Sequence, residues 1–377
     1  MEKKEIKICK NCVMDTTDPQ ITFDDNGVCD FCDNYYNSIL PNWEQNTDYS
    51  KLEALAEKIR KAGKGKKYDC IIGLSGGVDS CYLAYTVKKK LNLRPLMVSI
   101  DTGWNLDVAN DNVNKLISKL DLDIETIVID WKEMADLQLA FFKSQVPYND
   151  FPQDHAIFAG IYNYAASHGI KYVMTGANFS TECVQPPFEW VYMNDLKLLK
   201  EIHKKFGKVK LETFPLCSMF KYRIYYRFVK GMHIVHPLNL IKYDKQEAIK
   251  VLNKEIGWEQ YENKHYENVF TRFYEGYWLI KKFGYDKRKC YLSSEILTNQ
   301  MTREQALEIL NTKPYPEEQA LEDMAYIAKK LGTTTEEFSK LMEMPNKTFR
   351  DYKNSSHLIK LAVWFSKLVG TEKRNFR

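Results

Sequence analysis

Six residues, Ser75-Gly76-Gly77-Val78-Asp79-Ser80, have the types and spacing to hold a phosphate. The apolar run Cys70-Ile71-Ile72 before them reads as a buried strand. Val78, Leu83, Ala84 and Val87 after them have helical spacing. A strand that turns at two glycines into a helix start converges backbone N–H groups on one point, where the positive end of the helix dipole favours an anion. Ser75 and Ser80 add hydroxyl donors. Asp79 would repel a phosphate unless Mg2+ lay between them, which makes it a candidate magnesium contact. The stretch lacks the Gly-Lys-Ser/Thr ending of a Walker loop and the G-x-G-x-x-G spacing of a dinucleotide loop.

A second constellation precedes it. Cys9-Lys10-Asn11-Cys12 and Cys29-Asp30-Phe31-Cys32 are two CxxC pairs with sixteen residues between them. That spacing predicts a four-thiolate Zn2+ ribbon or knuckle, with Gly27 and the run Asp24-Asp25-Asn26 forming the hairpin between the pairs. Four ligands close the shell, so the metal would be structural rather than catalytic. A redox pair or unrelated thiols are the alternatives. Few basic residues surround the cysteines, which favours a scaffold over a nucleic-acid contact.

The elements that must position these residues follow from periodicity. Residues 95–101, 124–129 and 170–174 read as further strands, with helical patterns at 108–120, 134–143 and 154–168 between them. Alternation at this length predicts an α/β fold with a doubly wound parallel sheet. The loops at Ser75, Asp101 and Gly176 should then gather on one sheet edge, where such sheets bind ligands. Residues 180–232 lack clean periodicity and read as an insertion that could shape an acceptor pocket, before a strand at 234–238 and a helix at 245–255. Most of the remainder reads as helical, and Leu358, Leu361, Phe365 and Leu368 share one face, for which core packing is expected over a partner interface. Three regions result: 1–45 with the cysteines, 46–256 with the phosphate loop, and a mainly helical 257–377.

Composition bounds the function. The 377 residues are 44% hydrophobic and 28% charged, and the net charge of +4 comes from 54 basic and 50 acidic residues. Such a balance makes a nucleic-acid partner unlikely to be required. There is no apolar signal core at the start and no run long enough for a membrane helix, so a cytoplasmic protein without a membrane partner is expected.

The Ser-Gly-Gly-x-Asp-Ser loop resembles that of the PP-loop ATP pyrophosphatases, which split ATP into AMP and pyrophosphate and activate an oxygen as its adenylate. Further blocks narrow the resemblance: the four cysteines, Thr175-Gly176-Ala177-Asn178 with Thr181-Glu182, Gly257-Trp258, Lys264-His265, Phe270-Thr271-Arg272-Phe273, Asp286-Lys287-Arg288 and Met301-Thr302-Arg303. Together they resemble the N-acetyl sugar amidotransferases of bacterial lipopolysaccharide O-antigen and flagellin-glycan pathways. The resemblance covers nearly the whole chain.

It implies conversion of an acetamido to an acetamidino group on a nucleotide-activated or sialic-acid-like sugar, with ATP and Mg2+ as cofactors. Ser75, Gly76, Gly77 and Ser80 would hold pyrophosphate, with Asp101 and Gly176 completing the nucleotide site. Arg272, Lys287 and Arg288 are candidate clamps for the anionic sugar or the α-phosphate, and His265 is a candidate proton acceptor. For each of these four, a surface charge or a hydrogen-bonded side chain is the plainer alternative. Glu182 could contact a second metal or a sugar hydroxyl.

No cysteine stands at the chain start or in a G-x-C-x-G elbow, so no glutaminase nucleophile is recognisable. Ammonia is therefore expected from a separate glutaminase subunit, with an ammonia-channelling, cyclase-like subunit as a further candidate partner. One rival is a PP-loop tRNA-modifying enzyme that transfers sulfur through Cys183. Another is a non-catalytic zinc- and nucleotide-binding module that recruits the glutaminase.

Overall fold

The computed structural model describes residues 6–44, 47–192, 195–260 and 268–368. Its centre is a parallel five-stranded sheet: β1 (Cys70–Gly73), β2 (Pro95–Asp101), β3 (Asp123–Val128), β4 (Tyr172–Met174) and β5 (His233–Val235), in the order β3-β2-β1-β4-β5. Every adjacent pair is parallel. The chain starts in the middle, winds outward through β2 and β3, then crosses to β4 and β5. The expected doubly wound sheet is therefore present, and the strand order reverses beside β1, where a crevice forms.

Alternation along the strands sends side chains into two cores. Ile71, Val98, Ile100 and Val173 join one apolar cluster, whereas Ile72, Met97 and Met174 join another with Leu52, Ile59, Leu83 and Leu252. Both faces are thus covered, as a parallel sheet requires. The helix Phe151–Ser167 lies very close to one face: a Cβ on Gly160 would come within 2.8 Å of Ile100, and one on Gly73 within 2.8 Å of Ile161.

The 180–232 insertion holds more regular structure than its sequence suggests. Helices span Phe179–Glu182 and Leu196–Phe206, and a π-helical stretch spans Lys221–Val229. The last is apolar on its outer side, which breaks the usual inward pattern: Phe220 and Phe228 are each 70% exposed. Beyond residue 268 the chain is helical, and Phe270, Phe273, Trp278 and Phe338 pack with Phe142. These aromatics are core residues. The expectation for the final helix, Ser356–Leu368, fails at two positions, since Leu358 and Leu361 are 68% and 59% exposed. This helix ends the described chain, and no later element covers that face among the described residues. No described helix is long and apolar enough to cross a membrane.

The cysteine segment meets the helices after residue 287. Arg303 donates to the carbonyl oxygens of Cys9 (2.8 Å) and Cys12 (3.0 Å), Lys289 pairs with Asp15 at 2.5 Å, and Val13 packs with Leu292 and Ala306. The cysteine module is therefore seated on the helices Arg288–Leu297 and Arg303–Asn311.

Candidate functional site

The phosphate loop occupies the turn between β1 and the helix Val78–Tyr85. Gly76 has φ +86°, a left-handed conformation that favours glycine. Gly77 is the N-cap, and no side-chain oxygen caps the helix. The two serines shape the turn: Ser80 Oγ donates to Gly77 O at 3.1 Å, Gly77 N donates to Ser75 Oγ at 3.3 Å, and the two hydroxyls lie 3.4 Å apart.

Three other segments brace this loop. Trp258, 2% exposed, donates from Nε1 to Gly76 O at 2.9 Å. Tyr243 donates to Asp79 Oδ1 at 2.5 Å; burial, then the Asp79 charge, pushes its phenol well above the ordinary range. Gly176, two residues past β4, is seated against the loop, where a Cβ would lie 2.9 Å from both Asp79 C and Ser80 N. Asp101 ends β2 on the other side of β1 and accepts from Gly103 N at 2.8 Å. The loops at Ser75, Asp101 and Gly176 do gather on one sheet edge. The Asp79 carboxylate, held by Tyr243, is an oxygen donor of the kind that would hold Mg2+.

The candidate clamps are held by carboxylates. Arg272 pairs with Asp323 through two bonds of 2.9 and 2.8 Å. Arg288 is bidentate on Asp286 and also donates to the carbonyls of Ile309 and Thr312. Lys287, its side chain 12% exposed, pairs with Glu275. In this arrangement both guanidinium groups are engaged by the protein's own carboxylates, whereas Lys287 belongs to a larger polar cluster. His265 lies outside the described residues. Glu182 acts electrostatically both on Tyr243, the partner of Asp79, and on Tyr291, a partner of Glu275.

The Lys287 cluster contains residues the sequence reading missed. Thr102 donates to Gln153 Oε1 at 2.7 Å, Gln153 Nε2 donates to Asp150 Oδ1 at 2.5 Å, and Thr271 donates to Asp150 Oδ2 at 2.9 Å. Burial, then the Asp154 charge, pushes the Asp150 carboxyl up to about 7, while Lys287 opposes the shift. The available signal was Asp150 and Asp154, four apart at a helix start and so on one face. Neighbouring His155 is 2% exposed, and burial lowers it to about 4. Cys183 is 5% exposed, and burial pushes its thiol up to about 12.

The cysteine centre is compact. Sγ–Sγ separations are 3.8 Å for Cys9–Cys32, 3.6 Å for Cys12–Cys29 and 3.7 Å for Cys29–Cys32. These are the edges of a tetrahedron whose centre lies about 2.3 Å from each sulfur, the Zn–S bond length. The backbone N–H groups of Asn11, Cys12 and Cys29 point at Cys9 Sγ from 3.2 to 3.4 Å, which supports a thiolate there. The donor set fits a single tetrahedral metal ion, Zn2+ among them.

Residues 267–366 match the family model for the LPS biosynthesis protein WbpG-like, C-terminal domain. That segment, 100 of the chain's 377 residues, is similar to the WbpG-like C-terminal domain. Over those residues the match agrees with the lipopolysaccharide part of the resemblance read from the sequence blocks. The matched segment includes Arg272, Lys287, Arg288 and the helices on which the cysteine module rests. An uncharacterised Methanocaldococcus jannaschii protein is 24% identical over 139 residues, 36% of this chain; the chain thus spans less than half, 46%, of that relative's length.

Three solved structures are loosely similar. The NH3-dependent NAD synthetase of Campylobacter jejuni has a TM-score of 0.28 and 21% identity, covering 55% of this chain and 84% of that one. A predicted subunit of tRNA methyltransferase from Methanocaldococcus jannaschii has a TM-score of 0.28 and 13% identity, covering 49% and 75%. The U34-tRNA thiolase NcsA of Methanococcus maripaludis, with its [4Fe-4S] cluster, has a TM-score of 0.32 and 11% identity, covering 81% and 88%.

Proposed function

We propose that this protein is an ATP-dependent amidotransferase that converts an acetamido group of a nucleotide-activated or sialic-acid-like sugar into an acetamidino group, in bacterial surface-polysaccharide or flagellar-glycan synthesis. The observation that carries this reading is the braced, uncapped loop at 75–80, joined in one chain to a WbpG-like domain. An amide carbon is a poor electrophile, and its oxygen is a poor leaving group. The amide oxygen attacks the α-phosphorus of ATP and pyrophosphate departs, which gives an O-adenylated imidate. Ammonia then adds to the imidate carbon, AMP leaves with the former amide oxygen, and the product is an amidine.

The chain's own residues supply position and charge. The N–H groups at the helix start and the Ser75 and Ser80 hydroxyls receive the departing pyrophosphate, where developing charge meets fixed donors. Tyr243 fixes the rotamer of Asp79. Mg2+ bound at Asp79 would offset phosphate charge. Glu182 would meet a sugar hydroxyl or a second metal ion. Cys9, Cys12, Cys29 and Cys32 would hold Zn2+ as a structural ion, and Arg303 and Lys289 tie the cysteine segment to the WbpG-like region. Ammonia would come from a separate glutaminase subunit, directly or through a cyclase-like channel subunit, and the work would be done in the cytoplasm.

The test is incubation with Mg-ATP, ammonium chloride and a panel of N-acetylated nucleotide sugars and sialic-acid-like sugars. One acceptor should trigger pyrophosphate release and exchange its carbonyl oxygen for NH by mass. Pyrophosphate release with no oxygen-for-NH exchange in any acceptor would overturn the reading.

A further inference from the structure

The helix Lys221–Val229 turns its apolar residues outward. Phe220, Ile224, Tyr225, Phe228 and Val229 are all exposed, and Phe220, Ile224 and Phe228 recur every four residues, which puts them on one face. The opposite face is fastened to the helix Phe151–Ser167. Tyr226 is buried and its hydroxyl donates to Asn163, and Lys221 donates to the same Asn163 Oδ1 at 2.9 Å. Tyr222 stacks on Tyr162 with ring centres 5.4 Å apart and meets Phe158 edge-on at 4.9 Å. These contacts hold the apolar side facing out.

Positive charge borders that side. Arg223, Arg227 and Lys230 are exposed, and no described carboxylate pairs with any of them. The sequence has no acidic residue between Glu212 and Asp244. Arg227 lies over the Phe228 ring at 5.5 Å and Lys230 over the Tyr225 ring at 5.9 Å. The long cationic side chains thus lie along the apolar patch and carry their charge at its rim.

Single exposed apolar residues are ordinary, but a contiguous patch marks a contact. A second copy of this chain would set three cations against three. A single-stranded nucleic acid would need open ring faces for its bases, yet Phe228 and Tyr225 already carry the chain's own cations, and Ile224 and Val229 have no ring. The five side chains offer on the order of 500 Å2, short of the about 800 Å2 that each partner of a stable protein complex commits. An anionic bilayer needs no matching shape. It takes Phe, Ile and Val at the boundary between headgroups and acyl chains, and sets acidic headgroups opposite the arginines and the lysine.

We infer that the outer face of this helix rests on an anionic membrane surface, as an interfacial contact and not a span. The expectation of no membrane partner rested on leader and spanning segments, which have no bearing on a surface contact. The residues involved lie apart from the phosphate loop and the cysteine centre, so the contact stands or falls separately from the amidotransferase reading.

The test is co-sedimentation of the full chain with vesicles of phosphatidylethanolamine and phosphatidylglycerol, against vesicles of phosphatidylcholine. The parent is compared with two double variants, Phe220→Ser with Phe228→Ser and Arg223→Gln with Arg227→Gln. The parent should bind the anionic vesicles at least about ten-fold more strongly than the neutral ones, and less as salt rises. Both double variants should melt with the parent, because the replaced side chains are exposed. The phenylalanine variant should lose about ten-fold or more in vesicle binding, and the arginine variant should bind the two vesicle types nearly alike. No anionic preference in the parent, or undiminished binding by the phenylalanine variant, overturns the contact. A parent that leaves the vesicles in solution but binds a poly-uridine oligonucleotide through Arg223 and Arg227 overturns it in favour of nucleic acid. A parent dimer that ignores vesicles and is dispersed by the phenylalanine changes overturns it in favour of a second copy.

Discussion

Gly176 lies against the peptide joining Asp79 to Ser80, so close that a Cβ would come within 2.9 Å of backbone on both sides. The loop after β4 thereby fixes the loop after β1. Gly176→Ala should force the two apart, costing about 1–3 kcal/mol in stability and weakening ATP binding at least several-fold. Calorimetric titration with Mg-ATP and a melting curve check both. An alanine variant that binds ATP as tightly as the parent contradicts this account of the loop.

Much of that arrangement was legible beforehand because it is local. The strand-turn-helix at 70–85 follows from apolar runs and two adjacent glycines, and the cysteine spacing alone names a metal centre. The cluster around Asp150 was not legible, since Thr271 lies 121 residues away and Lys287 farther still. Sequence periodicity sees neighbours on one helix face, not groups brought together across a sheet edge. Arg272 shows the converse: its motif suggested an anion clamp, but nothing near it in sequence foretold Asp323. The Lys221–Val229 helix was missed because its apolar residues face outward.

Arg272 and Asp323 form a two-bond ion pair with both side chains mostly buried, 17% and 11% exposed. Arg272→Ala leaves the carboxylate without its partner and should cost up to about 3 kcal/mol, with ATP affinity unchanged. A variant of normal stability with weakened ATP or sugar binding would instead restore the clamp role.

Stability should depend on pH through Asp150. Its folded value of about 7 lies above the ordinary carboxyl value of about 3.9. The folded state therefore holds the proton longer than the unfolded one, so this contribution is complete below about pH 4 and is lost as pH rises through about 7. Denaturant titrations between those pH values should show a falling component that Asp150→Asn removes. An identical slope in the two proteins contradicts the assignment.

Cys183 separates the amidotransferase from a sulfur carrier. It is buried, shifted up to about 12 and directed at Ser294 O at 3.9 Å, so it is poorly suited to form a reactive thiolate. Cys183→Ser should keep turnover within a few-fold, checked by pyrophosphate release. Complete loss in a folded, ATP-binding variant would favour sulfur transfer.

At the cysteine centre, Cys12→Ser should lower bound metal well below one ion per chain, read by elemental analysis. Arg303→Ala should leave the metal in place but lower the melting temperature, because Arg303 ties Cys9 and Cys12 to the C-terminal helices. Full metal occupancy in Cys12→Ser would exclude the four-thiolate site.

The central claim concerns one oxygen atom. With an acceptor found, its acetamido oxygen can be labelled with a heavy isotope and the reaction run with Mg-ATP and ammonium. Adenylation of the amide followed by ammonia attack predicts that the label appears in AMP and that the sugar carries NH in its place. Label retained in the sugar, or lost to water with AMP unlabelled, would contradict it.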